Sequence, residues 1–147
     1  MRPPASPPNV RRALIDTSGH YALADPRDAN HLAAVAIAGQ LRAPPIRVFT
    51  TNFILAETHA LLLARCGRPA ALQVLQRLDQ SATIVVRVSA RDERRARDIL
   101  RQYDDKDFPL TDATSFAVME RLAITHAFTF DRNFSQYGLS TLLPDRS

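Results

Sequence analysis

Short apolar runs alternate along this chain with longer segments in which apolar residues recur every three or four positions. Few folds satisfy that alternation. Strands separated repeatedly by helices build a parallel sheet covered on both faces, an α/β fold. Ala13–Asp16 reads as a buried strand closed by an acid, and Val48–Thr50, Thr83–Val88 and Ala127–Phe130 read as three more. Leu139–Leu143 is a candidate fifth. Asp28–Arg42 carries Leu32, Val35, Ile37 and Leu41 at helical spacing, and Pro44 and Pro45 end it. Asn52–Arg65 is helical with Gly67 as its stop signal, and Pro69 opens a helix that turns Val74, Leu75 and Leu78 inward before Gln80. Arg91–Tyr103 is a charged helix with Ala96, Ile99 and Leu100 on its inner face. After the acidic turn Asp104–Pro109, Thr111–Leu122 repeats Ala113, Phe116, Ala117 and Met119 with helical period.

The chain has 147 residues, the size of one domain. Met1–Val10 is Pro-rich and lacks the apolar core of a signal peptide, so it reads as a disordered leader, with residues 11–147 as a single domain. No apolar run approaches membrane-spanning length. Cys66 is the only cysteine, which excludes an internal disulfide and a cysteine-based zinc site and suits the reducing cytoplasm. The net charge is +4, and Lys106 is the only lysine. Arginine grips phosphate through two parallel hydrogen bonds, so this excess suits a nucleic-acid partner.

Four acids follow or interrupt the apolar runs: Asp16, Glu57, Asp112 and Asp131. Functional residues of parallel sheets collect at the carboxyl ends of strands, and Asp16 and Asp131 both close strand-like runs. Asp112 opens a helix, where the free N–H groups favour a carboxylate. Glu57 lies inside its helix on a longer side chain that extends its reach. Clustered carboxylates repel each other unless a hard cation joins them, which points to Mg²⁺ or Mn²⁺ and phosphoryl chemistry. Thr17 and Ser18 beside Asp16, and Thr111 and Ser115 beside Asp112, are expected to orient those carboxylates or hold water. Thr111 also reads as an N-cap. Asp107 is a candidate auxiliary acid or a solvated loop residue, and Arg132 follows Asp131 closely enough to reach a substrate phosphate.

These pieces, in this order, resemble the PIN-domain ribonucleases that supply the toxin of VapBC toxin–antitoxin pairs. The matching positions are Asp16 after the first strand, Glu57 after the second, Leu110-Thr111-Asp112-Ala113-Thr114-Ser115, and Thr129-Phe130-Asp131-Arg132-Asn133-Phe134. The resemblance covers Leu14 to Leu143. It implies a three-layer α/β/α sandwich with a mostly parallel sheet. It also implies an Mg²⁺- or Mn²⁺-dependent endoribonuclease in which cation-activated water attacks phosphorus in line with the leaving 3′-oxygen. Asp16 and Asp112 would be direct ligands, with Glu57 and Asp131 binding directly or through water. The implied partners are RNA, a cognate antitoxin and a second copy of the chain. The antitoxin helix is expected in an apolar groove near Phe49–Leu63 and the helix from Asp28. The competing readings are an inactive RNA- or protein-binding module of the same fold, and a DNA-directed nuclease.

Overall fold

A computed structural model describes residues 10–42 and 45–145. The expected leader through Asn9 and Pro44 lie outside the described residues. The elements are β1 (Arg12–Ile15), α1 (Thr17–Ala24), α2 (His31–Gln40), β2 (Arg47–Thr51), α3 (Asn52–Cys66), α4 (Arg68–Asp79), β3 (Ile84–Val86), α5 (Ala90–Gln102), α6 (Leu110–Leu122), β4 (His126–Phe128), α7 (Arg132–Tyr137) and β5 (Ser140–Thr141). The strands form one sheet in the order β3-β2-β1-β4-β5, with every pairing parallel. Among the described residues no helix is long and apolar enough to cross a membrane.

Strand alternation divides the interior into two faces. Leu14, Phe49 and Ala127 point into one core with Ile54, Ile99, Phe116 and Phe134, so α3, α5, α6 and α7 cover that side. Their neighbours Ile15, Val48 and Phe128 point the other way, against Ala22, Ala34 and Ile37 of α1 and α2. The result is the three-layer α/β/α sandwich. Phe116 anchors the larger core, packing edge-on to Phe134 at 5.0 Å and stacked on Tyr137 at 4.4 Å.

Two helices were not legible as such in the sequence. Thr17–Ala24 forms α1 directly after β1, with Asp16 as its N-cap, and Arg132–Tyr137 forms α7 with Asp131 as its N-cap. Asp16 therefore begins a helix rather than ending a strand. The Asp28 carboxylate accepts from the Asn30 N–H and the α2 helix starts only at His31. Thr129 and Phe130 leave the sheet, which shortens β4. Thr111 is not an N-cap, because α6 starts one residue earlier behind Pro109.

Of the four glycines, Gly19 alone sits in a close approach of two elements. A Cβ there would lie 2.6 Å from the Phe128 carbonyl oxygen and 2.9 Å from Ile15 Cγ1. α1 crosses the β1–β4 seam so closely that only hydrogen fits. Gly19→Ala is expected to destabilise the protein by about 2 kcal/mol through overpacking. Thermal unfolding of the variant beside wild type checks this, and an unchanged midpoint would refute the tight crossing.

Candidate active site

Non-consecutive strands β1 and β4 lie side by side, with β2 on the far side of β1. Such a reversal of strand order opens a crevice at the carboxyl ends of the strands. Asp16 leaves β1 there. Its side chain accepts from Gly19 N at 2.9 Å and Ser18 Oγ at 2.8 Å on one oxygen, and from Thr129 Oγ1 at 2.6 Å on the other. The Thr129 hydroxyl also accepts from Asp131 N at 3.0 Å, so one side chain joins the first acid to the last. Ser18 Oγ accepts from Phe130 N at 2.9 Å, closing the link between α1 and the segment after β4.

Asp131 caps α7 by accepting from Asn133 N at 2.9 Å. Asn133 Nδ2 donates to Asp112 Oδ2 at 2.8 Å, bringing the first turn of α6 to the first turn of α7. Glu57, one turn inside α3, is exposed. Its charge is still close enough to act on Asp112.

Burial and like charge set the electrostatics. Asp16 is raised to about 6, first by burial; the bonds from Thr129, Gly19 and Ser18 oppose the rise, and the Asp131 charge adds to it. Asp112 is raised to about 7, again first by burial, with the Asn133 amide opposing and the charges of Asp131, Asp16 and Glu57 adding. Among the described residues none of the four acids is in an ion pair; the arginines pair with Asp25, Asp92, Asp98 and Glu120 instead.

The expected supporting residues divide. Ser18 bonds Asp16 directly. The Thr17 hydroxyl is buried without a hydrogen-bond partner among the described residues. Ser115 Oγ donates back to the Thr111 carbonyl at 2.9 Å, the ordinary use of a hydroxyl in a helix, and is recorded in no bond to Asp112. Thr111 lies in the first turn of α6 and provides that carbonyl. Asp107 is exposed on the loop before α6 and is not joined to the bonded set. Arg132 is exposed at the first position of α7, beside Asp131. Thr129 and Asn133 were missed as candidates. They flank Asp131 in the closing motif, but only the folded chain shows their bonds to Asp16 and Asp112.

The set fits a hard divalent cation. All four donors are carboxylates, two of them are buried against mutual repulsion, and none has an ion-pair partner among the described residues. Among the described residues no three such side chains close into a ready coordination cage, so the acids are coupled through charge rather than already converged.

Known proteins share this fold. The family model of the PIN domain matches residues 13–139. The 23S rRNA-specific endonuclease VapC20 of Mycobacterium tuberculosis (strain CDC 1551 / Oshkosh) is 36% identical over 132 residues, covering 90% of this chain and 98% of that protein. The crystal structure of VapC20, described as a Sarcin-Ricin loop cleaving toxin, superposes with a TM-score of 0.81 at 35% identity, covering 90% of this chain and 99% of that one. FitAcB from Neisseria gonorrhoeae shares the fold alone, with a TM-score of 0.65 at 16% identity over 90% of this chain and 97% of its own. A family model matching residues 13–139 and 36% identity to VapC20 over nearly the full length of both proteins show that the chain belongs to the PIN domain family.

Proposed function

We propose that this endoribonuclease cuts 23S rRNA at the sarcin–ricin loop, using Mg²⁺ or Mn²⁺ held by Asp16, Glu57, Asp112 and Asp131, and that it is the toxin of a cytoplasmic toxin–antitoxin pair. The observation that carries the reading is Asp112, buried in the first turn of α6 and facing three like charges with no basic partner among the described residues. The substrate follows from likeness to VapC20 over nearly the full length of both chains.

A bound divalent cation supplies Lewis-acid polarisation of the phosphoryl oxygen and lowers the pKa of water. The chain's own residues do the rest. Ser18, Gly19 and Thr129 hold Asp16 in one orientation, so it presents its remaining lone pairs without rotating. Asp112, tethered through one oxygen, offers the other. Glu57 is exposed on a long side chain, suited to orient the attacking water and take its proton. Arg132 stands beside Asp131 in solvent, placed to meet a phosphate next to the cut. In-line attack with the 3′-oxygen leaving gives 5′-phosphate and 3′-hydroxyl ends.

The antitoxin reading rests on an apolar groove of about 580 Å³ between α1, α2, α4 and the sheet. Leu23, Val35, Ala38, Val48, Val74 and Phe128 line it, and Arg42 and Arg77 edge it. Val35 of α2, on its wall, is 49% exposed. An amphipathic helix with acidic flanks fits such a groove. The sequence pointed to the α2 side of this site. No residue of the expected Phe49–Leu63 stretch lines the groove, however, and Phe49 faces the opposite core.

The test is incubation of the purified protein with ribosomes, naked 23S rRNA and a mixed RNA pool, in Mg²⁺, Mn²⁺ or EDTA, with ends mapped by sequencing. One dominant cut in the sarcin–ricin loop, lost in EDTA, is expected. Cation-dependent cutting elsewhere would discard the substrate but keep the nuclease. No cutting of any RNA would favour a binding module, and cutting confined to DNA would favour the DNA-directed reading.

A further inference from the structure

We propose that Asn133 is a positioning residue for the cation site, tying Asp112 to Asp131 and fixing the direction in which Asp112 presents its free oxygen. The proposal rests on the cation-site reading above. Asn133 reaches both acids at once. Its side-chain Nδ2 donates to Asp112 Oδ2 at 2.8 Å and its main-chain N–H donates to Asp131 Oδ1 at 2.9 Å. The two acids come from different helices, so the residue joins α6 to α7 at the site itself.

Its own position is anchored. The next residue, Phe134, is fully buried and packs edge-on against Phe116 of α6. Asn133 therefore sits in the first turn of α7 with little freedom to move away. The two buried acids differ sharply in support. Asp16 accepts from three groups on two oxygens, whereas Asn133 is the one recorded donor to Asp112 among the described residues. Loss of that single bond frees the Asp112 carboxylate to turn away from its like-charged neighbours.

The chemistry of an amide matters here. An ionised carboxylate only accepts, so the Asn133 nitrogen must face it. A neutral donor orients Asp112 without cancelling its charge, which stays available to a cation. Lysine or arginine in its place would neutralise the site, and aspartate would add a further repelling charge.

Asn133→Ala separates the two bonds, because the main-chain N–H to Asp131 is kept. The experiment uses the full chain, stripped of metal, and titrates Mn²⁺ by the paramagnetic resonance signal of the free ion. Single-turnover RNA cleavage and thermal unfolding are measured alongside. The expected result is about a 10-fold loss of Mn²⁺ affinity, the scale at which ligand-orienting partners act. The maximal cleavage rate falls while the KM for RNA holds, and the metal-free unfolding midpoint drops by only a few degrees, as loss of one buried hydrogen bond requires. Asn133→Gln, which keeps a donor on a longer arm, recovers part of the affinity. Should Asn133→Ala fail to fold, Asn133→Leu, close in shape and without a donor, is read the same way. Wild-type Mn²⁺ affinity in the folded donorless variant overturns the proposal and leaves the cation site standing. Wild-type protein that binds no Mn²⁺ overturns both.

Discussion

Asp112→Asn is expected to lower the cleavage rate by about 10³-fold, roughly 4 kcal/mol of barrier, while making the metal-free protein harder to unfold. Both effects have one cause. The ionised carboxylate is held in a buried position under the charges of Asp131, Asp16 and Glu57, with no ion-pair partner among the described residues. Folding the chain around that charge costs stability, which a neutral amide avoids. The Asn133 bond survives the change, because the new amide still offers an oxygen to Nδ2. At neutral pH the unfolding midpoint should rise by about 5 °C, the shift that 1–2 kcal/mol produces in a domain of this size. Slower cleavage together with higher stability identifies a functional charge rather than a structural one. A variant that loses both activity and stability would mean that Asp112 is there to hold the fold.

The second large effect is the dependence on pH and cation. Asp16 and Asp112 have folded pKa values raised from 3.8 to about 6 and about 7. A group raised in the folded state favours folding while protonated. Its contribution is fully present below the ordinary carboxylate pKa and is lost as pH rises through the folded value. The metal-free protein should therefore lose stability as pH rises from about 4 to about 7, as Asp16 and then Asp112 ionise, with no further loss from these two groups above that. At the acid end the sign reverses. Asp25 is lowered to about 2, first by the Tyr21 hydroxyl, and Asp92 is lowered first by Arg121, so both lose their stabilising bonds as acid protonates them. Saturating Mg²⁺ or Mn²⁺ should offset most of the stability lost by neutral pH.

The same pKa values set the pH profile of binding. A cation must displace the Asp112 proton below about 7 and the Asp16 proton as well below about 6. Apparent affinity should then fall about 10-fold per pH unit in the first window and about 100-fold per unit in the second. Unfolding and titration series at fixed ionic strength check both curves. A metal-free protein as stable at about pH 7 as at about pH 5 would contradict the electrostatic account of the site.

The sheet was legible because its signal is local. Ala13–Ile15, Val48–Thr50 and Ala127–Phe128 are short apolar runs whose alternate residues enter opposite cores, and hydrophobic spacing marks helices such as α6 well. α1 and α7 were not legible because they are short and begin inside what reads as the end of a strand motif. Asp16 and Asp131 serve as caps as well as being proposed site acids, and in sequence the cap is hidden by the apolar run before it. The four acids could be picked out because each follows a recognisable element. The side chains that orient them could not. Thr129 reaches Asp16 across 113 positions and Asn133 reaches Asp112 across 21, and no local pattern encodes such pairs. Ser115 shows the opposite case, a residue well placed by helical spacing whose hydroxyl is recorded bonding its own helix.

The most direct measurement is an anomalous difference map at the manganese absorption edge, from crystals of the full chain grown with Mn²⁺. The account predicts one or two peaks in the β1–β4 crevice, bounded by Asp16, Glu57, Asp112 and Asp131, with the acids drawn together around them. Manganese bound only elsewhere, with Asp16 still held by Ser18, Gly19 and Thr129 and with Asp112 and Asp131 still held by Asn133, would contradict it.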